Sequence, residues 1–379
     1  MANFVVSVEK VQTTFTVGGV NTVNLSKSQD ETQCVPFYTM RFTADQTNNR
    51  TAQFCRLVMI DNGGTPAVQV HWTPSGATIG DITVDIFVVE YGSNVTVQSG
   101  TTAVTGTSAT QAITAVTLAN AFIVTTQDWN DGASSSADWE DSFMQASFNS
   151  TIEIAFERRA GGHPDWDVTW YVVESDGTDF TTEYVEFSWS GTDQGPTTAG
   201  TITAVTLAKA FLICTYECDE IDDDMDNAIV NMALTATTTL TWYRNHGGSP
   251  TQTGTIGVWV VKTSGTEFSV ERFAKDVNGA TTNTQAITAI DQAKAILISN
   301  QNVAGGCWPI NSYTATNVID NLQHSLIFTS TTEVTLQRFF TDTLDGTNNN
   351  VRFEVVEFEL IVAGAASLTM APYQAHNMR

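Results

Sequence analysis

A short apolar string recurs four times along the chain, each time where a β-strand ends. The copies read Phe-Val-Val-Glu, Tyr-Val-Val-Glu, Trp-Val-Val-Lys and Glu-Val-Val-Glu, at 87–90, 171–174, 259–262 and 354–357. They are about 85 to 95 residues apart, which is the length of one small β-domain. The spacing predicts a single module copied in tandem and restricts the chain to a repeat architecture.

Other strings repeat in the same order within each copy. Copies two, three and four open with Ile-Thr-Ala-Val or Ile-Thr-Ala-Ile, continue with a second apolar strand, and reach an alternating strand closed by arginine. These strings lie at 113–116, 202–205 and 287–290, then at 121–124, 210–213 and 295–298, and finally at 154–158, 240–244 and 334–338. Copy one diverges, with 35–38 and 68–72 in the corresponding places. The closing arginines, Arg158, Arg244 and Arg338, are expected to pair with strand glutamates or loop acids inside each copy.

Hydrophobic periodicity predicts an all-β fold of four tandem antiparallel β-sandwich modules. Residues 152–157 alternate apolar and polar, as in a strand with one buried face, and no long stretch has a helical stripe. Glycine-containing turns separate the strands. The predicted modules are 1–92, which is the divergent one, 93–177, 178–265 and 266–362, followed by a C-terminal tail at 363–379. Because the links around Gly92, Gly177 and Gly265 are short, the modules are expected to stack along a line.

Composition and charge bear on compartment and partners. The chain has 42% hydrophobic residues, enough for four small cores, and 16 basic against 41 acidic residues, a formal net charge of −25. The negative electrostatic potential that this charge creates disfavours binding to nucleic acid and to anionic membranes. The amino terminus has no evident secretory signal, and the five cysteines lack the spacing of a disulfide framework. These features predict a protein made in a reducing cytoplasm with free core thiols, although Cys34 and Cys55 remain a possible hairpin pair.

The order of strands resembles a known architecture. An apolar strand such as 210–213, a polar variable loop, a Thr-rich strand ending in Arg244, and the final strand at 259–262 resemble the tandem modules of structural proteins in tailed bacteriophages. The same order is similar to the six-stranded sandwich of H-type lectins, which trimerises through its sheets. The resemblance implies a virion protein that forms a homo-oligomer, with a trimer as the expected form. Lectin activity is not implied, because no sugar-contacting residue of that family matches these loops.

The loop of copy three is a candidate calcium site. Asp and Glu oxygens at this density are the ligands that a hard cation requires. The candidate ligands are Asp219, Glu220, Asp222, Asp223, Asp224 and Asp226. Their order does not follow the twelve-residue calcium loop with its central glycine, so a solvated acidic loop is the alternative.

Tryptophans in the corresponding loops are candidate glycan contacts. Trp129 and Trp139 lie among carboxylates that include Asp128, and Trp308 lies in the loop of copy four. An indole beside a carboxylate can stack on a sugar and hydrogen-bond to it. The alternative is that these side chains anchor a long loop or dock a neighbouring subunit.

Nothing in the chain has the spacing of a familiar catalytic motif, and we predict a protein that is not an enzyme. The five histidines do not form a His-Glu-x-x-His string, and there is no Gly-x-Ser-x-Gly elbow. The leading hypothesis is a bacteriophage structural protein, a fibre, a capsid decoration or a tail component, located in the virion and contacting other virion proteins. The alternatives are a carbohydrate-binding receptor-recognition protein and a cell-surface structural protein.

Overall fold

The computed structural model describes residues 4–43, 54–74, 81–129, 143–158, 165–190, 197–219, 230–243, 253–277, 280–299, 323–338 and 350–360. Module 1 contains β1 (Val5–Phe15), β2 (Gly19–Asn24), β3 (Cys34–Phe42), β4 (Arg56–Asp61), β5 (Pro66–Trp72) and β6 (Ile82–Tyr91). Module 2 contains β7 (Val95–Val104), β8 (Ser108–Ala112), β9 (Ala121–Trp129), β10 (Gln145–Ser150), β11 (Glu153–Glu157) and β12 (Trp166–Ser175). Module 3 contains β13 (Thr181–Ser190), β14 (Thr197–Thr201), β15 (Ala210–Asp219), β16 (Asn231–Ala236), β17 (Thr239–Tyr243) and β18 (Thr253–Lys262). Module 4 contains β19 (Phe268–Asp276), β20 (Thr282–Ala286), β21 (Ala295–Ser299), β22 (Ser325–Ser330), β23 (Glu333–Gln337) and β24 (Asn350–Phe358).

Every module is a sandwich of two three-stranded antiparallel sheets. In the first sheet, the sixth strand of the module lies between its first and third strands; in the second sheet, the fifth strand lies between the second and fourth. Short 3₁₀ helices precede the third strand at Glu31–Gln33, Leu118–Asn120 and Leu207–Lys209. The predicted fold class is therefore confirmed: the chain is all-β, with four tandem antiparallel sandwiches.

The recurring Val-Val string lies in the central strand of each first sheet. All ten residues of β6 are buried, whereas the second-sheet strand β20 alternates between exposed and half-buried positions. A central strand with both faces covered needs a continuous apolar run. One face of the sixth strand meets the module's own core, and the other meets a neighbouring module.

The last residue of the recurring string holds the loop before the third strand. Glu90 accepts hydrogen bonds from the backbone N–H groups of Gln29 and Asp30, both at 3.0 Å, and Glu174 accepts one from Thr117 at 2.6 Å. Glu357 does the same for Asp291, at 2.7 Å. In module 3, Lys262 occupies this position and instead forms an ion pair with Glu183, at 2.9 Å.

The repeated Ile-Thr-Ala string also has a structural role inside each module. Its first and fourth residues donate backbone hydrogen bonds to the turn between the fourth and fifth strands. In module 2 these bonds run from Ile113 to Ile152, at 2.9 Å, and from Val116 to Thr151, at 2.8 Å. The same pair of bonds occurs in modules 3 and 4. The string therefore holds the connection between the second and third strands against the turn between the fourth and fifth strands.

Two of the recurring arginines, Arg158 and Arg338, donate to a main-chain turn of their own module. The Nε of Arg158 donates to the carbonyl oxygen of Gly106, at 2.5 Å, and the Nε of Arg338 donates to that of Ala280, at 3.0 Å. Both carbonyls lie between the first and second strands of the same module. Arg158 and Arg338 thus share a contact that holds this turn, and the expected pairing with acidic side chains stays a prediction. Arg244 lies outside the described residues.

The four modules form a closed ring. The fourth strand of each module packs on the first sheet of the next: β4 on β9 and β12, β10 on β15 and β18, β16 on β24, and β22 on β3 and β6. The last of these junctions joins module 4 to module 1. The expected line of modules is therefore wrong, because the turn made at each junction brings the ends of the array together.

A cluster of aromatic rings, the hub, lies where all four modules meet. It consists of Phe4, Tyr91, Phe122, Phe180, Phe211, Phe268 and Phe358, none more than 3% exposed. The ring of Phe4 contacts rings of three modules, 1, 3 and 4, at centroid distances of 5.5 to 6.1 Å. Since rings from all four modules meet there, the hub lies on the axis of the ring and fills it at that level.

The described cysteines are buried and form no disulfide, in line with the prediction of core thiols. They are Cys34, Cys55, Cys214 and Cys218. Burial raises the pKa of Cys34 to about 12, so this thiol is protonated and unreactive at neutral pH. Cys34 and Cys55 are not bonded to each other.

Candidate functional site

Each module has two distinct ends, which we call the loop end and the linker end. At the loop end, the third strand stops where the sixth begins: Phe42 is opposite Ile82, and Asp219 is opposite Thr253. The connections between strands one and two, three and four, and five and six all leave from this end. At the linker end, the hub contains Tyr91, in the last position of β6, and Phe180, directly before β13.

The loop ends of neighbouring modules lie side by side around the ring. Arg56, the first residue of β4, contacts Asp128, the penultimate residue of β9. Ser325, the first residue of β22, contacts Arg41 near the end of β3. Each pair joins the loop end of one module to the loop end of the next. The connections of the modules therefore leave from one common face of the ring, which we call the loop face.

The candidate binding residues all belong to connections of the loop face. Trp129 and Asp219 are the last residues of β9 and β15, and their side chains lie outside the description. The remaining candidates lie in stretches that the structure does not describe; they are Trp139, Trp308, Glu220, Asp222, Asp223, Asp224 and Asp226. The described strands that flank these stretches end at the loop face, and the calcium and glycan sites stay predictions.

Asp128 has a role other than the one the sequence indicated. Its side chain is buried between modules 1 and 2, where Arg56 Nε lies 2.5 Å from its Oδ1 and Thr73 donates to its Oδ2 at 3.1 Å. Burial raises the pKa of Asp128, and the Arg56 guanidinium opposes that rise. The carboxylate is therefore part of a junction and is not available to a sugar.

A histidine completes this buried group. The Arg56 guanidinium donates to Nδ1 of His71 at 3.0 Å, so this nitrogen accepts and the imidazole is neutral. Burial, together with Arg56, lowers the pKa of His71 to about 4. Asp167 also faces the group, 3.7 Å from Arg56. This arrangement fixes the junction electrostatically at neutral pH.

A threonine in the third strand makes the same paired contact at three junctions. Its hydroxyl accepts the N–H and faces the C=O of one residue in the fourth strand of the preceding module. Thr126 contacts Leu57 at 3.0 and 3.3 Å, Thr215 contacts Ala146 at 3.1 and 3.1 Å, and Thr39 contacts Leu326 at 2.9 and 3.4 Å. The position corresponding to these threonines in module 4 is residue 300, outside the described part of the chain.

The first residue of the recurring string also crosses these junctions. The Tyr171 hydroxyl donates to the carbonyl of Leu57 at 3.0 Å. Phe87 and Trp259 pack edge-on against Phe328 and Phe148, with centroids 5.8 and 6.3 Å apart. The aromatic residue that marks the repeat is therefore the one that contacts the preceding module.

The junction between modules 3 and 4 has a carboxylate in that position. Glu354 is fully buried, accepts the N–H of Leu212 at 2.8 Å across the junction, and forms an ion pair with Arg272 at 2.8 Å. Burial raises the pKa of Glu354, and Arg272 opposes the rise. Arg352 of the same module lies over the ring of Tyr243 in module 3, 3.4 Å from its centroid.

The residues at the junctions were not recognised from the sequence, although a signal for them exists. The recurrence of an aromatic residue at 87, 171 and 259, and of threonine five residues into the third strand, is visible in the repeat. This recurrence indicates a contact between modules only if the outer face of the sixth strand is known to be covered. A strand pattern alone does not show that.

Neither a metal cluster nor a membrane-spanning helix is found in the described part of the chain. Among the described residues, no group of three or more His, Cys, Asp or Glu side chains is arranged to hold a metal ion. No helix within the same part of the chain is long and apolar enough to cross a bilayer. The sequence matches no known protein-family model, and the search of curated proteins found no significant match.

Proposed function

We propose that the protein is a non-enzymatic structural component of a bacteriophage particle, a fibre, capsid decoration or tail component, that displays the loop face to its surroundings. The observation that carries the proposal is the closed ring, with all long connections on one face and a filled hub at the other end. Such an assembly gives many variable segments a rigid common support. Other virion proteins are its expected partners, and the virion is its expected location.

The filled hub supports a peripheral position in the particle. Seven buried aromatic side chains from all four modules occupy the axis, so the ring is closed at that level. A component that surrounds DNA or a tail tube needs an open axis. We therefore place the protein on the outside of the proposed particle, attached to it through the linker end or the outer wall of the ring.

Imaging of native particles tests this proposal. Purified particles from a lysate of the producing host would be incubated with antibody raised against the chain and examined by negative-stain electron microscopy. The expected result is label at one recurrent position on the outside of the particle. Label confined to cell envelopes would replace the proposal with the cell-surface alternative, and label on neither would refute both.

A second candidate, recognition of a host-surface glycan, is favoured by the convergence of the loops. The connections that contain Trp129, Trp139 and Trp308 begin and end at the same face, so several loops of one ring can engage one polymer. Glycan-array binding by the full chain tests it, with Trp129→Ala and Trp139→Ala compared with wild type. We expect loss of binding in both variants. No bound glycan, or binding that survives both changes, would refute this candidate.

Calcium binding at the acidic loop of module 3 is a separate question with its own test. If Asp222 and Asp224 hold the ion, calcium stabilises the folded state by mass action. The melting temperature would then rise with calcium in the wild type but not in the Asp222→Asn, Asp224→Asn variant. The expected result is an equal response of both proteins, which identifies a solvated acidic loop.

A further inference from the structure

The four junctions share one geometry, but each has a different polar residue at one corresponding position. This position is the first residue of the fourth strand, beside the loop face. We name each junction by the two modules that it joins. The residue is Arg56 at junction 1–2, Gln145 at junction 2–3, Asn231 at junction 3–4 and Ser325 at junction 4–1. The surrounding contacts repeat, so the differences at this position distinguish the junctions.

At three of the junctions, the residue in this position contacts a charged side chain of the next module. Arg56 meets the carboxylates of Asp128 and Asp167, at 2.5 and 3.7 Å. Gln145 donates to Glu186 at 2.9 Å. The charges are reversed at junction 4–1, where the receiving module supplies the cation.

At junction 4–1, Arg41 donates to the Ser325 hydroxyl at 2.7 Å and forms an ion pair with buried Asp85 at 3.1 Å. A fourth strand that began with arginine would place two guanidinium groups together there. Conversely, a serine beside Asp128 would leave a buried carboxylate without its cation, which is strongly destabilising. Repulsion and unpaired charge are the means by which similar surfaces discriminate between partners.

Junction 4–1 differs from the others in a second way, because no peptide link crosses it. Phe4 and Phe358, close to the two ends of the described chain, are in contact in the hub with centroids 5.9 Å apart. The interface is heterologous: module 4 offers its fourth strand, and module 1 offers a different surface, its first sheet. A heterologous surface that opens can be filled equally well by the same surface of another copy.

We infer that the first residue of each fourth strand encodes the order of the modules, and that the surface of module 1 that receives module 4 can also receive module 4 of a second copy. The partner in this interaction is another molecule of the same chain. At low concentration the chain closes on itself, because the two ends are held close together. At high concentration, chains that fold together join head to tail through junction 4–1.

The role of this position in ordering the modules is tested by transferring the arginine–aspartate pair of junction 1–2 to junction 4–1. Ser325→Arg brings a cation against Arg41 and is expected to open the ring, seen as a larger hydrodynamic radius at unchanged mass. Arg41→Asp alone places a carboxylate beside Asp85 and should have the same effect. The double variant Ser325→Arg, Arg41→Asp reproduces the arrangement of Arg56 and Asp128 and should restore the wild-type radius.

Ser325→Ala is the matched control, since it removes the hydroxyl without adding charge, and its radius should equal that of wild type. Recovery in the double variant also shows that neither single change simply prevents folding. If Ser325→Arg keeps the wild-type radius, or if the double variant does not recover, the encoding is refuted.

The second-copy interaction is tested by refolding the full chain from denaturant at micromolar and at near-millimolar concentration, followed by size-exclusion chromatography with light scattering. Wild type should be monomeric at the low concentration. At the high concentration it should yield species of twice the 41.0 kDa chain mass and higher multiples, which dissociate slowly on dilution. Ser325→Arg should give none of these species. Monomer alone from wild type, or equal multimers from Ser325→Arg, would refute the second-copy assignment.

Discussion

Junctions 4–1 and 3–4 fill the same position of the repeat with opposite chemistry. At junction 4–1 the first residue of the recurring string is Phe87, which packs on Phe328 of the neighbouring module. At junction 3–4 it is Glu354, which is buried and held by Arg272 and by the N–H of Leu212. An apolar ring needs only a shaped surface, whereas a buried carboxylate needs every partner in place. The repeat therefore preserves the geometry of the junction without preserving its chemistry.

The difference has an energetic consequence. Removing part of an aromatic contact costs its packing, while removing one member of a buried ion pair leaves an uncompensated charge. Junction 3–4 should be the less tolerant of substitution, even though Phe87 and Glu354 are both fully buried. Substitutions at Arg272 and at Phe87 test that contrast directly, and Thr126→Val at junction 1–2 should fall between them in effect.

Arg272→Met should be the most damaging change at a junction. It leaves Glu354 buried without its cation and should lower the free energy of unfolding by about 3–5 kcal/mol in urea denaturation. Adding Glu354→Gln removes the charge but keeps an acceptor for Leu212, so the double variant should recover most of the loss. A single variant as stable as wild type would contradict the role assigned to this pair.

Thr126→Val should have an intermediate effect. The substitution keeps the shape of the side chain but leaves the N–H of Leu57 without its acceptor, at a cost of about 1–3 kcal/mol in the same assay. Thr126→Ser retains the hydroxyl and serves as the control, with a smaller loss. Equal losses in the two variants would show that the hydroxyl contributes nothing to the junction.

Phe87→Leu should be milder still, because one apolar side chain replaces another of similar size. We expect a loss of about 1 kcal/mol, the range of tolerated hydrophobic exchanges in packed cores. Glu354→Leu is the matched change at junction 3–4 and should cost more, since it leaves the Arg272 charge and the Leu212 N–H unpaired. The contrast between the junctions fails if the two leucine variants lose the same stability.

A separate prediction concerns the pH dependence of stability at junction 1–2. The pKa of His71 is about 4 in the folded protein, below the ordinary value of 6.5. The neutral form is therefore favoured by folding, and stability falls as the pH decreases below 6.5 and approaches 4. His71→Gln should remove that component, seen as a flatter dependence of the melting temperature between pH 6.5 and 4. Identical pH profiles for the two proteins would contradict this account of junction 1–2.

The sequence is sufficient to predict the modules but not the ring. Alternation in residues 152–157 and the recurrence of the Val-Val string identify strands, and the repeat orders them into sandwiches. Closure depends on the angle between neighbouring modules, which follows from contacts such as Thr126 to Leu57 between residues far apart in the chain. No local pattern encodes that angle.

The sequence predicts only part of the candidate site, because contacts between residues far apart in the chain leave no local pattern. The loop segments were identified as the variable part of each copy, and the structure brings their ends to one face. Asp128 was assigned to a loop because it follows an apolar strand and precedes Trp129. Its burial depends on Arg56, which comes from the preceding module and is 72 residues away.

Small-angle X-ray scattering of the purified full chain tests the closed ring most directly. A compact protein of 379 residues has a radius of gyration of about 21 Å, whereas a line of four modules would have roughly 35 Å. Measurements at low concentration, where one chain closes on itself, should give a value close to the first with no long tail in the distance distribution. An extended distribution with a radius near the second value would contradict the closed ring.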